Sequence, residues 1–223
     1  MDFKNKELFI FDFDGTLIDS IPDLTQAIND MLSHYGLKSL TIEVATPFIG
    51  NGAKKLVERA LEHAMQPKKV SEEFFKEATE FYFSAYSAVV CDKTYLYLGV
   101  LETLQYLDNK GYEMTICTNK PMEFIEPILE KLSIKQYFKF WIGGNSLPQK
   151  KPDAAPLLHL AKKMNKDVDK CIMVGDSKND ILAAQNAGME SIGVSYGYNY
   201  NEHIAAYNPT KVVDKFVELQ DLF

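Results

Sequence analysis

The sequence predicts an α/β protein, a doubly wound and mostly parallel sheet carrying an inserted small helical cap, and three observations predict it. Apolar residues run without interruption over 8–11, 114–117 and 171–174, as strands buried on both faces of a parallel sheet do. Helical patterns lie between the later runs, including 124–132 and 181–187, as a doubly wound sheet requires. About a hundred residues separate the first two strands, far more than the dozen or so that one crossover needs, so something extra is inserted there.

Taken in order, strand 8–11 ends at Asp12, and a polar stretch through Leu17 follows it. Residues Leu24, Ala27, Ile28, Met31, Leu32 and Tyr35 then share one helical face, and Leu56, Val57, Ala60, Leu61 and Ala64 repeat the spacing. A third helix spans 71–90. Its aromatic stripe, from Phe74 and Phe75 through Phe81 and Tyr82 to Tyr86, reads as packing between helices rather than as the wall of a ligand cavity. Hinges are expected at 17–22 and 92–99, which gives a catalytic core of 1–17 plus 95–223 and a cap of 18–94 able to close over the sheet edge. Strand 114–117 ends at Thr118, strand 171–174 at Gly175-Asp176, and a further strand covers 191–194. In open α/β sheets ligands bind at the carboxyl ends of the strands, so these polar endings converge on one edge.

Composition narrows the class. The chain has 223 residues, 46% hydrophobic and 25% charged, which is globular and neither disordered nor coiled-coil. Its net charge of −7 opposes the basic footprint of a nucleic-acid binder. No run approaches membrane-spanning length, and the N-terminus is too acidic and too briefly apolar for a signal peptide. Cys91, Cys117 and Cys171 are widely separated and support neither a disulfide framework nor a zinc knuckle. A soluble protein of the cytoplasm is expected, and nothing in the sequence specifies its oligomeric state.

The strongest chemical signal is Asp12-Phe13-Asp14-Gly15-Thr16-Leu17. Two carboxylates two residues apart at a strand end project to the same side, repel, and call for a cation or for acid/base work. Asp176 and Asp180, in Gly175-Asp176-Ser177-Lys178-Asn179-Asp180, add acid groups to the same edge, although alone they also suit a helix cap. Hard carboxylate oxygens favour Mg2+. His34, His63, His159 and His203 are scattered without zinc spacing. Thr118-Asn119-Lys120-Pro121 and Lys150-Lys151-Pro152 supply hydroxyl, amide and ammonium groups suited to phosphate oxygens.

In this order, the Asp12 motif, the strand ending in Thr118, Lys151-Pro152 and the Asp176–Asp180 pair resemble the haloacid dehalogenase superfamily of aspartate-nucleophile phosphatases over nearly the whole chain. The resemblance implies Asp12 as nucleophile, Asp14 as general acid/base, and Thr118, Asn119 and Lys151 as phosphate binders. It also implies Mg2+ held by Asp12, Asp176 and the Asp14 backbone carbonyl, with Asp180 supporting the metal site. Phe48-Ile49-Gly50-Asn51-Gly52 followed by Leu56 to Leu61 is similar to the cap of bacterial phosphoglycolate phosphatases. By that likeness Gly50, Asn51 and Gly52 would approach the substrate, a small phosphorylated metabolite. Arg59, the only arginine, is then a candidate for gripping the carboxylate of 2-phosphoglycolate through a bidentate pair, unless Lys55, Glu58 and Glu62 simply make its face a solvated one. Ala154, Asn145, Leu96 and Leu98 depart from the family pattern without removing a catalytic group. Rival readings are a phosphatase for sugar phosphates, nucleotides or pyrophosphate, a phosphohexose mutase, and, from another class, a phosphorylation-dependent signalling module.

Overall fold

The computed structural model describes residue 3 and residues 5–223. The chain begins with β1 (Leu8–Phe11) and β2 (Ile18–Asp19), continues through α1 (Ile21–His34), α2 (Ile42–Ala45), α3 (Ala53–Met65) and α4 (Glu72–Val89), and returns at β3 (Tyr95–Leu96). The remainder alternates: α5 (Val100–Asn109), β4 (Glu113–Cys117), α6 (Ile125–Lys131), β5 (Phe140–Ile142), α7 (Ala155–Lys163), β6 (Cys171–Gly175), α8 (Lys178–Ala187), β7 (Glu190–Val194) and β8 (Lys211–Val213). Six strands form one parallel sheet in the order β5-β4-β1-β6-β7-β8.

The uninterrupted apolar runs follow from burial on both faces. Phe9 and Phe11 of β1 pack with Val100, Leu104 and Leu107 of α5 and with Phe216. Leu8 and Ile10 pack on the opposite side with Leu157 and Leu160 of α7 and Ala183 and Ala184 of α8. Each fully buried Leu, Ile or Phe contributes about 1.5–3 kcal/mol, so β1, lined on both sides, is the anchor of the sheet. It lies between β4 and β6, in register from Leu8, which aligns with Glu113 and Cys171, to Phe11, which aligns with Ile116 and Val174. The chain leaves β1 toward different neighbours on its two sides, and that switch opens a crevice at the strand ends.

The long insertion is helical, and its helices have a hydrophobic cluster of their own. Ile28 and Met31 of α1, Val57 and Leu61 of α3, and Tyr82 and Tyr86 of α4 form it, and Phe124 and Tyr198 reach into it from beside the sheet. Ser71 caps α4 by accepting from the Phe74 N–H. At the base of the insertion β2 and β3 form an antiparallel pair, Ile18 opposite Leu96 and Asp19 opposite Tyr95. The buried Asp23 of α1 fastens this junction: its carboxylate accepts from the Lys93 N–H and from both the N–H and the hydroxyl of Thr94.

The strand expected at 191–194 begins one residue earlier, and the helix expected from 124 opens with a short 3-10 turn over Met122–Phe124 before α6. The three cysteines are buried and free. Among the described residues no helix is long and apolar enough to cross a membrane.

Candidate active site

Asp12 follows β1, Thr118 follows β4, and Asp176 follows Gly175, the last residue of β6, so three adjacent strand ends place these side chains on one edge. Lys151 reaches the same point from the loop before α7. Its ammonium, fully buried, lies 2.9 Å from Asp12 Oδ1 and 2.6 Å from Asp180 Oδ1 and donates to the Cys117 carbonyl at 2.5 Å. Burial works against that charge, but the Asp12 and Asp180 carboxylates outweigh it and hold Lys151 protonated above the usual lysine range.

Carboxylate oxygens of Asp12, Asp176 and Asp180 all lie within 4.8 Å of one another. Asp180 is fully committed: its second oxygen accepts from the N–H and hydroxyl of Ser177 at the start of α8. It therefore caps the helix and braces Lys151 at once. Asp176 accepts from the Thr16 hydroxyl at 2.8 Å and the Tyr198 N–H at 2.6 Å. The backbone closes so tightly here that a Cβ on Gly15, at φ +89°, or on Gly197 would collide with the Asp176 carboxylate. Asp12 Oδ1, although near Lys151, has no aligned hydrogen-bond donor. Burial pushes the Asp12 carboxyl up to about 7, with Asp180 adding to the rise and Lys151 opposing it. Burial likewise raises Asp176 well above the usual carboxylate range, reinforced by Asp12 and Asp180. A buried acid oxygen without a donor, in a carboxylate cluster where Asp12 and Asp176 resist ionisation, fits a hard divalent cation such as Mg2+.

Asp14 has different partners. Its carboxylate accepts from the Ser20 hydroxyl at 2.5 Å and from Lys120 Nζ at 2.9 Å. Lys120 is buried and also donates to the Tyr86 hydroxyl at 2.7 Å. Asp12, Asp14, Thr118, Asn119 and Lys120 line one side of a cavity of about 480 Å³, counted out to its mouth. Leu24, Ile49, Leu56, Tyr82 and Tyr86 from the insertion line the other. The aromatic stripe of α4, expected only to pack between helices, thus has a second role: Tyr82 and Tyr86 belong both to the helical cluster and to the cavity wall.

The glycine loop before α3 meets the core directly. The Gly50 carbonyl accepts from Asn119 Nδ2 and Asn179 Nδ2, and the Asn51 carbonyl accepts from Lys150 Nζ. Tyr200 donates to the Asn51 side chain. Gly50 and Gly52 line the cavity; Asn51 lies behind it. Arg59 is turned toward the loop before its own helix. Its guanidinium donates to the Phe48 carbonyl and to Asn51 Oδ1, both at 2.8 Å, and it is absent from the cavity wall. From α3 the side chain reaches back along the loop that precedes its own helix, where these two acceptors hold it. Tyr86, Ser20 and Tyr200 are site residues that motif reading passed over, while Lys120 and Asn179 stand inside the quoted motifs without a role of their own. The buried charge at Lys120 had one signal, its place directly after a strand-end Thr-Asn pair.

With this geometry in hand, comparison with known proteins is decisive. The model of the family described as haloacid dehalogenase-like hydrolase matches residues 9–194. The chain belongs to that family. This hydrolase is 43% identical over 219 residues to a phosphoglycolate phosphatase of Psychrobacter arcticus, covering 97% of this chain and 95% of the relative. It is 42% identical to phosphoglycolate phosphatase 1 of Pseudomonas aeruginosa, covering 95% and 78% of the two chains. Among solved structures, that of a predicted phosphoglycolate phosphatase from Haemophilus somnus superposes with a TM-score of 0.94 at 37% identity, covering 98% of each chain. The hydrolase thus groups with the phosphatases of its family, enzymes for phosphoric monoesters.

Proposed function

We propose that this hydrolase cleaves phosphomonoesters through an aspartyl-phosphate on Asp12, with 2-phosphoglycolate as its substrate and Mg2+ as its cofactor. The observation that carries the reading is the buried Lys151 ammonium held between Asp180 and Asp12, where Asp12 itself lines a cavity whose far wall is the helical insertion. In this reading segment 18–94 is the cap and 1–17 with 95–223 the catalytic core. The names of the relatives support 2-phosphoglycolate.

An Asp12 carboxylate oxygen attacks phosphorus, the bond from phosphorus to the ester oxygen breaks, and Asp14 gives its proton to the departing glycolate oxygen. Water then attacks the phosphorus of the acyl phosphate, Asp14 takes a proton from it, and phosphate leaves as the bond to Asp12 opens. Thr118, Asn119 and Lys151 hold the phosphoryl oxygens, and the ammonium offsets repulsion between an anionic nucleophile and an anionic ester. Asp12, Asp176 and the Asp14 main-chain carbonyl would hold Mg2+, which when bound neutralises charge shared by the nucleophile and the phosphoryl group. Splitting one hard displacement into two is what a buried, cation-flanked carboxylate is suited to do.

The test is phosphate release from 2-phosphoglycolate, sugar phosphates, nucleotides and pyrophosphate, with Mg2+ and with EDTA, by wild type and Asp12→Asn. Metal-dependent release with highest kcat/KM for 2-phosphoglycolate, lowered at least about 1000-fold in Asp12→Asn, is expected. Preference for another ester would overturn the substrate; an active Asp12→Asn enzyme would overturn the nucleophile.

A further inference from the structure

We propose that Lys120, assisted by the Tyr86 hydroxyl, is the residue that reads the second anionic group of the substrate, the carboxylate lying beyond the phosphoester. The inference rests on the phosphoglycolate reading above and assigns the part of the molecule that the phosphate-binding residues leave unrecognised.

Three charged side chains line the cavity, and Lys120 alone is a cation; the other two are Asp12 and Asp14. The remaining candidate cations are engaged elsewhere. Lys151 is enclosed by Asp12, Asp180 and the Cys117 carbonyl. Lys150 donates to the Asn51 carbonyl, and Arg59 to Phe48 and Asn51. An ammonium has three N–H donors. Those of Lys120 reach both Asp14 oxygens, at 2.9 and 3.3 Å, and the Tyr86 hydroxyl, and Tyr86, accepting from Lys120, keeps its own O–H as a donor. An incoming carboxylate would take the place of the longer Asp14 contact, at 3.3 Å, and so meet one charged donor from the ammonium and one neutral donor from the phenol. Burial, with Asp14 and Asp23 adding to it, raises the Tyr86 phenol well above its ordinary value, so it stays a donor across the physiological range.

The surroundings favour a short anion over a polyhydroxylated chain. Leu24, Ile49, Leu56 and Phe124 also line the cavity and would leave sugar hydroxyls without partners, and an unpaired buried hydroxyl is costly. Because Tyr86 belongs to α4 and Lys120 to the loop after β4, the two halves of the receptor come from the insertion and from the core, and the carboxylate would join them.

Removing a charged partner of a buried carboxylate costs about one to two orders of magnitude. The test compares kcat/KM for 2-phosphoglycolate with that for ethyl phosphate, its counterpart without the carboxylate, in wild type, Lys120→Met, Lys120→Arg and Tyr86→Phe. Any disturbance of Asp14 acts on both esters and cancels in their ratio. Wild type is expected to favour 2-phosphoglycolate. Lys120→Met should collapse that preference at least about 20-fold, chiefly through KM, Lys120→Arg should restore part of it, and Tyr86→Phe should lower it about 3- to 5-fold. A preference that survives in both Lys120→Met and Tyr86→Phe overturns the assignment while leaving the substrate reading intact. If Lys120→Met does not fold, the ratio in Tyr86→Phe and Lys120→Arg decides, an unchanged ratio in both counting against the proposal. No preference in wild type overturns the substrate reading itself.

Discussion

The carboxylates at the strand ends are individually costly, and that cost sets what changes with solution conditions. Asp12 titrates near 7 in the folded chain against an ordinary value near 3.8, so between these values the folded state holds a proton that the unfolded state has released. Stability linked to that proton is complete below about pH 3.8 and lost as pH rises through 7. The Mg2+-free protein is therefore expected to lose roughly 5–10 °C of Tm between pH 4.5 and 7.5. Asp12→Asn should flatten much of that slope, and added Mg2+ should restore stability at the alkaline end, all readable by calorimetry. Glycine geometry makes a second residue-level prediction. Gly197→Ala places a methyl against the Asp176 carboxylate and should cost about 2–3 kcal/mol by urea melts while weakening Mg2+ binding at least 10-fold by calorimetric titration. At this scale the sequence was informative where a motif coincides with a strand end: Asp12, Asp176 and Asp180 come together as the spacing predicts. It was silent on direction. Nothing in the pattern around Arg59 states that its guanidinium turns back to Phe48 and Asn51, and nothing in Thr118-Asn119-Lys120-Pro121 states that Lys120 is buried against Asp14 and Tyr86.

Among the elements, α5 and α7 were not singled out although they are longer than α6, and the shortest strands escaped altogether. The four-residue β1, apolar on both faces, stands where its run ends, and α1, α3 and α4 follow their stripes within a few residues. The three-residue strands β5 and β8 and the two-residue pair β2 and β3 escaped, because so few residues show no period, and their pairing is decided by partners far away in sequence. The β2–β3 pair is held by Asp23 rather than by its own hydrogen bonds alone. Asp23→Ala strands two backbone donors and the Thr94 hydroxyl and should destabilise the protein by about 3 kcal/mol in urea melts, whereas Asp23→Asn, which keeps an acceptor, should cost less than half of that. A larger loss from Asn than from Ala would mean that the junction is governed by charge rather than by acceptor geometry.

Over the whole molecule, the parallel sheet, its helices on both faces and the helical insertion were all implied by three apolar runs and one overlong gap. How the insertion meets the core was not, since contacts such as Gly50 with Asn119 and Asn179, or Asn51 with Tyr200 and Lys150, join residues 69 to 149 positions apart. If these bonds hold the insertion over the cavity, Tyr200→Phe together with Asn179→Ala should raise KM about 3- to 10-fold with kcat changed less than twofold, checked by steady-state kinetics. A fall in kcat alone would place the pair in the chemistry instead. The chain enters and leaves the insertion at Ile18–Asp19 and Tyr95–Leu96, side by side and bonded to one another. Two separate tethers would let a body tilt and twist independently on each; two tethers zipped together behave as one door hinge with a single axis. Any swing of the four helices about that axis returns Tyr86 toward Lys120, its partner at 2.7 Å across the two parts.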